Sequence, residues 1–439
     1  MSKYTDKLRA IFHGTMQAVD VSAAVQRAIR CYGSSLHIAN FECNLKEVNR
    51  ILIIAIGKSA TPMYEAAVVA LRHRLEVEAV LVSPLPLASN RQLTVCPAAH
   101  PIPDEHSRRA AATILTKLRA ADERTLVLFL ISGGASAMVE QPLDPGISIA
   151  DTARFYQALV TSSLPIAKIN SIRKHFSAVK GGRLACAAAR SAAVCTLVAS
   201  DVPSGLTDSV GSGPSLPDST NRQECLEALH HVMETTMLPD SVSSFFHSKL
   251  FVETPKPDDP IFARNYSANI LSSDDLLAAA SRSASAAGFQ VVHDNTCDEW
   301  DYRKAANYLL ERASELRRHH PALCLVSVGE LSVPIEGPSG KGGRNQQFAL
   351  WCAMEIARRQ EQLAVLSAGS DGIDGQSPAA GAVVDATTCG RARQLNLDAQ
   401  HFLNAYDSNS LFSALGDTIV TGPTGINLRD LRIVMSLPH

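Results

Sequence analysis

The chain has 439 residues, of which 46% are hydrophobic and 19% charged, a composition typical of a globular protein with room for two or three domains. Its formal net charge is -2, with lysine and arginine spread among acidic residues, so we expect no nucleic-acid partner. No apolar run is long enough to span a membrane, and the first residues show no signal-peptide core. We therefore expect a cytoplasmic protein that has no membrane partner and begins with an amphipathic helix.

Cysteine and histidine spacing gives no sign of a structural metal site. The ten cysteines include no C-x-x-C pair, and no two histidines have H-E-x-x-H spacing. We expect buried thiols and no transition-metal site.

Short runs of β-branched and aliphatic residues recur between helix-like segments. Such near-continuous apolar runs are typical of strands covered on both faces in an α/β sheet. The predicted strands start at Ile51, Ala79, Leu126, Ala193, Gln290, Leu323, Leu363, Asp417 and Arg432. Helices are predicted between them, for example over residues 61–75 and 275–288. The pattern predicts an α/β fold of parallel or mixed sheets.

A change in composition marks the predicted domain boundary. Residues 251–265, FVETPKPDDPIFARN, contain three prolines and few apolar side chains. We therefore predict an N-terminal domain over residues 1–255 and a C-terminal domain over residues 256–439. It stays open at this point whether the last strand returns to the first domain.

Glycine-rich and polar clusters follow the predicted strands, where open α/β sheets bind ligands. After ILIIAIG comes Gly57-Lys58-Ser59, which resembles the second half of a phosphate-binding loop but lacks its first glycine. Lys58 could contact a phosphate or a carboxylate, or it could simply extend over a helix end.

After LVLFLIS come Gly133, Gly134, Ala135 and Ser136, small residues that let backbone N–H groups approach a nucleotide phosphate. The alternative is a tight turn that needs small side chains for packing. Lys180 and Arg183 flank a glycine pair inside a helical pattern. We expect them near the nucleotide phosphates, although most charges on such a helix face are only solvated.

Acidic residues follow two further strands. Asp201 and Asp371 could hold Mg²⁺ or accept a proton from a hydroxyl group, and Asp374 lies three residues beyond Asp371. Aspartates in such loops also commonly cap turns. The segment GPSGKGGRNQQFALWCAMEIA places Arg344 in a glycine-rich turn before a helix, which fits an anion site and equally a flexible loop whose charges are only solvated. Together these groups indicate an enzyme that acts on an anionic substrate and handles phosphate.

Nine segments, in this order, resemble the glycerate 2-kinase family, which has an N-terminal DUF4147 domain and a C-terminal MOFRL domain. The segments are AIGKSA, HPIPDEHS, LISGGASAM, INSIRKHFSAVKGGRLA, ASDVPSGLTDSVGSGPSLPD, VSVGELSV, GKGGRNQQFAL, SAGSDGIDG and LGDTIVTGPTGINLRDLRIVM. The resemblance extends from about Ile51 to Met435. Departures occur at Ala135, where the family commonly has glycine, and at Ser377-Pro378, where an acidic residue is missing.

The resemblance implies two α/β domains, the first Rossmann-like, with the active site in the cleft between them. It implies ATP-dependent phosphorylation of D-glycerate at the 2-hydroxyl, giving 2-phosphoglycerate and ADP, with Mg²⁺. The family's essential lysine and arginine match Lys58 and Arg344. Asp201 and Asp371 are the candidates for Mg²⁺ contact or for accepting the hydroxyl proton.

Two alternatives remain at this point. Some relatives of the family are named hydroxypyruvate reductases, but this chain has no G-x-G-x-x-G dinucleotide fingerprint after a strand. A non-catalytic binder of small hydroxy acids or sugar phosphates would keep the cationic residues and lose the acidic ones, which this chain retains. The sequence leaves open whether the chain forms a homo-oligomer. It also does not determine the stereochemistry of the substrate or the position that is phosphorylated.

Overall fold

The computed structural model describes residues 3–71, 75–84, 87–98, 100–162, 164–203, 205–335 and 337–436. Contacts between residues divide the chain into two compact units. The N-terminal unit comprises Val21–Ile270, and the C-terminal unit comprises Met1–Asp20 and Leu271–His439. This division differs from the predicted boundary after residue 255 in two places. The first helix packs within the C-terminal unit, and the strand that begins at Asn265 extends the N-terminal sheet.

The α-helices of the described residues are α1 (Lys3–Ala18), α2 (Val21–Ala28), α3 (Ala60–Leu71), α4 (Glu105–Arg119), α5 (Ala135–Met138), α6 (Ile149–Thr161), α7 (Ile166–Phe176), α8 (Arg183–Ala187), α9 (Arg222–Thr235), α10 (Asp240–Phe246), α11 (Ser273–Ala286), α12 (Tyr302–Leu316), α13 (Arg344–Arg359), α14 (Thr388–Gln394), α15 (Ala399–Asn404) and α16 (Ser408–Leu415). Short 3-10 helices span Thr207–Ser212 and Pro260–Phe262. None of these α-helices is long and apolar enough to cross a membrane.

The strands are β1 (Ile29–Tyr32), β2 (Ser35–Ile38), β3 (Phe41–Asn44), β4 (Arg50–Ile56), β5 (Glu76–Ser83), β6 (Leu93–Pro97), β7 (Thr125–Ser132), β8 (Ala193–Ala199), β9 (Asn265–Leu271), β10 (Gln290–His293), β11 (Leu323–Gly329), β12 (Leu363–Gly369), β13 (Gly381–Asp385), β14 (Thr418–Ile419) and β15 (Asp430–Ser436). The predicted α/β class with two sheet-containing units is confirmed. The predicted helix over 61–75 is observed as α3, and residues 72–74 lie outside the described residues.

The N-terminal unit is built on a six-stranded sheet of order β6-β5-β4-β7-β8-β9, and β1, β2 and β3 form a separate small sheet. Strands β6, β5, β4, β7 and β8 run parallel to one another. Every residue of β7 and of β8 is buried, as expected of strands covered by helices on both faces. Because these strands run in one direction, the segments that follow β4, β7 and β8 meet at one edge of the sheet.

The C-terminal unit is built on a mixed six-stranded sheet of order β10-β11-β15-β12-β13-β14. Strand β15 lies antiparallel between β11 and β12. Asp430, which begins β15, is therefore paired with Gly329 at the end of β11 and with Gly369 at the end of β12. This register brings the residues that follow β11 and β12 to one edge of the sheet, next to Asp430.

Candidate active site

Two turns that follow neighbouring strands of the N-terminal sheet are hydrogen-bonded to each other. The N–H of Lys58, after β4, donates to the carbonyl oxygen of Gly133, after β7, at 2.9 Å. The N–H of Ser59 donates to Ser132 Oγ at 3.0 Å. Gly57 has a φ of +126°, and a Cβ there would lie only 2.5 Å from the carbonyl oxygen of Ser132, so the turn requires glycine. Lys58 is thus fixed at the carboxyl edge of the sheet.

Three polar side chains converge on the glycine pair of the second turn. A Cβ on Gly133 would overlap the carboxylate of Asp201. A Cβ on Gly134, whose φ is +85°, would lie 3.3 Å from Cγ of Lys58 and 3.1 Å from Cδ2 of His100. Lys58 and Asp201, predicted from the ends of two different strands, therefore lie against one turn.

The second turn also presents unpaired backbone donors. The N–H groups of Gly134, Ala135 and Ser136 have no acceptor among the described residues. Ser136 Oγ lies 2.8 Å from Ser212 Oγ, which fixes the far end of the turn. Ala135 is buried, and a Cβ on Gly211 would lie 2.9 Å from its methyl group, so the alanine packs against the neighbouring loop. The turn combines the small residues and free donors that an anion site needs.

His100 is a residue of this site that the sequence did not single out. Desolvation of its ring, and then the nearby ammonium of Lys58, lower the pKa of His100 below its usual value, so the imidazole is neutral at pH 7. The motif HPIPDEHS was the signal that could have revealed it. Two further residues of the motif have a structural role, because the side chain of Asp104 caps α4 and forms a capping box with Ser107.

Lys180 and Arg183, predicted to lie near nucleotide phosphates, are bonded to protein groups instead. Lys180 is 1% exposed, and its Nζ lies 2.8 Å from Glu140 Oε2 and donates to the carbonyl oxygen of Val139 at 2.8 Å. Arg183 Nη1 donates to the carbonyl oxygen of Lys174 at 2.7 Å. Both side chains hold segments of the N-terminal unit together, so we leave them out of the nucleotide contacts proposed below.

In the C-terminal unit, Arg344 is the first residue of α13 and binds two carboxylates. Its Nη1 donates to Glu330 Oε2 at 2.9 Å, and its Nε donates to Asp430 Oδ2 at 2.5 Å. Burial alone would lower the pKa of Arg344, but the two carboxylates raise it, so the guanidinium stays charged. Burial raises the pKa of Glu330. Several N–H donors of the Arg344 guanidinium, which we expected to bind a substrate anion, are thus hydrogen-bonded to protein carboxylates.

The two aspartates of the SDGIDG loop have different environments. Asp374 is 2% exposed, and its carboxylate accepts the N–H groups of Asn345 at 3.0 Å and Gln346 at 2.8 Å. It therefore caps the start of α13. Burial raises the pKa of Asp374 to about 6. Asp371 is half-buried, and its Oδ1 accepts the N–H of Ile373 at 3.1 Å.

A pocket of about 590 Å³ lies at the start of α13 in the C-terminal unit. Its lining combines apolar side chains, glycines of the segment before α13, and a few polar groups, as small-molecule sites do. The polar lining includes Arg344, Asn345, Gln347, Asp371 and Asp374, and the apolar lining includes Leu331, Val333, Ile335, Ile373 and Tyr406. The glycine-rich segment before α13 therefore lines a pocket in addition to lying at the surface.

The described residues contain no group of three or more His, Cys, Asp or Glu side chains that could hold a metal ion. Mg²⁺ needs only one or two protein carboxylates when substrate phosphates supply the other oxygens. Asp201 fits that requirement by its chemistry and its place beside Gly133, and Asp371 fits it by its place in the pocket.

Comparisons with known proteins match both units. A family model described as a domain of unknown function, DUF4147, matches residues 7–247, and the MOFRL family model matches residues 323–430. The glycerate 2-kinase of Pyrococcus horikoshii is 31% identical over 430 residues, which cover 96% of this chain and 94% of the relative. A provisionally named hydroxypyruvate reductase of Agrobacterium vitis is 31% identical over 400 residues, or 88% and 87% of the two chains. The crystal structure of a glycerate kinase from Thermotoga maritima has a TM-score of 0.82 at 28% identity and covers 99% of both chains.

Proposed function

Because the chain belongs to the glycerate 2-kinase family, we propose that it transfers the γ-phosphoryl group of ATP to the 2-hydroxyl of D-glycerate, giving 2-phosphoglycerate and ADP. One observation carries the proposal: Lys58, Asp201 and the unpaired N–H groups of residues 134–136 meet at one edge of a parallel sheet. Phosphoryl transfer depends mostly on positioning and on neutralising phosphate charge, and these groups do both.

Each group of the N-terminal site has a proposed part in the reaction. The N–H groups of Gly134, Ala135 and Ser136 bind phosphate oxygens, and Lys58 neutralises negative charge on the transferred group. Asp201 either accepts the proton of the attacking hydroxyl or holds Mg²⁺ through an oxygen ligand. Bound Mg²⁺ would neutralise charge on the nucleotide phosphates.

The C-terminal site has a proposed part in binding the substrates. Arg344 carries five N–H donors; its hydrogen bonds to Glu330 and Asp430 use three of them, and Nη2 also lies 2.8 Å from Glu330 Oε1. We propose that the remaining donors face the ligand in the pocket, and that the two carboxylates hold the guanidinium in a fixed orientation. Asp371 is the proposed carboxylate for Mg²⁺ contact on this side.

A product assay tests the function directly. The purified chain is incubated with D-glycerate, ATP and Mg²⁺, and the product is identified as 2-phosphoglycerate, 3-phosphoglycerate or neither. We expect 2-phosphoglycerate with equimolar ADP. Formation of 3-phosphoglycerate would contradict the assigned position, and absence of both products would contradict the activity.

A reductase is the second candidate, favoured by the name of the Agrobacterium vitis relative. It predicts oxidation of NADH with hydroxypyruvate in the absence of ATP. Against it, the chain has no G-x-G-x-x-G motif after a strand. A non-catalytic binder predicts that D-glycerate raises the melting temperature while neither ATP nor NADH is consumed. The three outcomes are mutually distinguishable.

A further inference from the structure

A buried group of charges lies directly behind the turn formed by residues 133–136. Glu140 is fully buried and pairs with Lys180, which is 1% exposed. The hydroxyl of Tyr156 donates to the same carboxylate. The guanidinium of Arg173 lies over the Tyr156 ring, 4.9 Å from its centroid, and Arg173 is 8% exposed. The group therefore contains two cations and one carboxylate.

Arg173 is the cation without a partner. Its guanidinium makes no hydrogen bond and no ion pair with any of the described residues, and its Nε is enclosed without an acceptor. Glu140 is the acidic charge that acts on it, and its Oε2 is already shared by Lys180 and Tyr156, while its Oε1 makes no hydrogen bond with any described residue. A buried charge with no counter-ion is costly, so proteins seldom keep one unless a ligand supplies the missing charge.

The same helix face connects Arg173 to the proposed phosphate turn. Asn170 lies one helical turn earlier on α7, and its Oδ1 accepts the hydroxyl of Ser212 at 3.0 Å. Ser212 Oγ lies 2.8 Å from the hydroxyl of Ser136, the last residue of the turn. Ser136 also lies close to Tyr156, on whose ring Arg173 is stacked. The Tyr156 ring thus lies between the guanidinium and Ser136, and Asn170 and Ser212 connect the same helix to the turn.

We propose that Arg173 binds an anionic oxygen group of a substrate, either the carboxylate of the hydroxy acid or a phosphate of the nucleotide. Two anionic oxygens can bind one guanidinium fork in parallel, which a lysine at this position would not allow. The naming of the two substrates rests on the proposed function. The anion site itself rests on the unpaired guanidinium of Arg173 and does not depend on that function. The bound anion then neutralises the one positive charge by which the cations of the buried group exceed its carboxylate.

The first test measures thermal unfolding of Arg173→Met with and without anions. Removing an unpaired buried charge should leave the melting temperature of the anion-free chain unchanged or raise it. D-glycerate or inorganic phosphate should raise the melting temperature of the unmodified chain, and Arg173→Met should lose most of that rise. Lys180→Met is the structural control, because it leaves Glu140 buried without its counter-ion and should lower the melting temperature in every buffer. Arg190→Met, at an exposed arginine of the same unit, should change neither quantity.

The second test separates the two anion sources by kinetics. If Arg173 binds the acid, Arg173→Met raises the KM for D-glycerate at least tenfold and leaves the KM for ATP unchanged, and the reverse holds if it binds a nucleotide phosphate. Arg173→Lys should restore part of the lost affinity, because it keeps the charge and loses the fork.

Several outcomes would overturn the proposal. A marked drop in the melting temperature of Arg173→Met, or failure of that variant to fold, together with normal KM values for Arg173→Lys, would show that the residue is structural. A chain whose unfolding responds to none of D-glycerate, phosphate and ATP has no such site. If the unmodified chain lacks kinase activity but Arg173→Met still abolishes the anion-dependent rise, the proposed function fails and the anion site stands.

Discussion

The ammonium of Lys58 is the charge whose removal tests the N-terminal site most directly. Lys58→Met keeps the length of the side chain and removes the charge beside the glycine turn, so we expect kcat to fall at least about 100-fold, as for loss of one group that stabilises transition-state charge. Steady-state kinetics measure the loss of kcat, and thermal unfolding of the same variant shows whether a loss of stability accompanies it. The control is Lys46→Met, at an exposed lysine of the same unit. Equal losses in both variants would contradict a specific role.

Glu253 links charge to stability in the N-terminal unit. Burial would raise the pKa of Glu253, but hydrogen bonds from Lys256 and His175 prevail and lower it to about 2, below the value of 4.5 for a free glutamate. A depressed folded pKa means that this carboxylate contributes stability above about pH 4.5, and that the contribution is lost as the pH falls towards 2. Glu253→Gln should therefore destabilise the protein at pH 6 and make little difference at pH 2.5.

The measurement is urea unfolding at the two pH values, with Glu227→Gln, at an exposed glutamate, as the matched control. A loss of stability in Glu253→Gln that is equal at both pH values would contradict a charge-dependent contribution.

At the level of single residues, the sequence could predict a position and could not predict a partner. The sequence could predict Lys58, Gly133 and Asp201 as site residues, because each follows an apolar strand and parallel strands have their carboxyl ends at one edge of the sheet. Lys180 has the same residue type and a similar glycine-rich context, but its partner Glu140 lies 40 positions earlier in the chain. No local pattern reveals that such a pair is buried. Arg173 was not singled out either, because the sequence does not show which charged side chains of its helix are buried.

The start of α13 is held by a side chain from another loop. Asp374 accepts backbone and side-chain donors of Asn345 and Gln346, next to Arg344. Asp374→Ala leaves these buried donors without an acceptor, so we expect a loss of about 2–3 kcal/mol in the free energy of unfolding. The KM of the substrate bound in the pocket should rise as well, since Arg344 depends on this helix start.

Denaturant unfolding measures the first effect and steady-state kinetics the second. The control is Asp398→Ala, which removes an exposed cap at the start of α15 and should cost about 1 kcal/mol without a change in KM. A smaller loss for Asp374→Ala than for Asp398→Ala would contradict the prediction.

Among the elements, the longest buried strands were predicted, as were the short strands β10 and β14, whereas β6, β9 and the buried five-residue strand β13 were not. Strands β7, β8, β11 and β12 are apolar throughout and stand out in the sequence. Strand β6 ends in a proline, and β9 is mostly half-exposed, so neither forms an apolar run. The helical pattern around Gly181 and Gly182 is in fact broken, because both glycines have positive φ and separate α7 from α8.

For the whole molecule, the sequence predicted two α/β units, whereas the structure shows which segments complete each of them. Composition marks the proline-rich segment after Leu250, but β9 follows that segment and still joins the N-terminal sheet. The amphipathic pattern of the first helix predicts which face of the helix is buried. It does not predict which unit packs against that face. Its buried residues Leu8, Ile11 and Phe12 pack within the C-terminal unit, against α11, β12 and β13. Arg9 donates to the carbonyl oxygen of Thr418 at 2.6 Å.

Two fragments test this division of the chain. Fragment 21–270 contains β1 to β8 complete and all of β9 except Leu271, so we expect a single cooperative unfolding transition. Fragment 1–255 lacks β9, which turns the fully buried strand β8 into an open edge. It also carries α1 without its partners, which exposes three apolar side chains whose burial stabilises the fold by about 2 kcal/mol each. Size-exclusion chromatography and thermal unfolding should show fragment 1–255 to be less stable and prone to association. Equal or greater stability of fragment 1–255 would show that the boundary after residue 255 is the physical one.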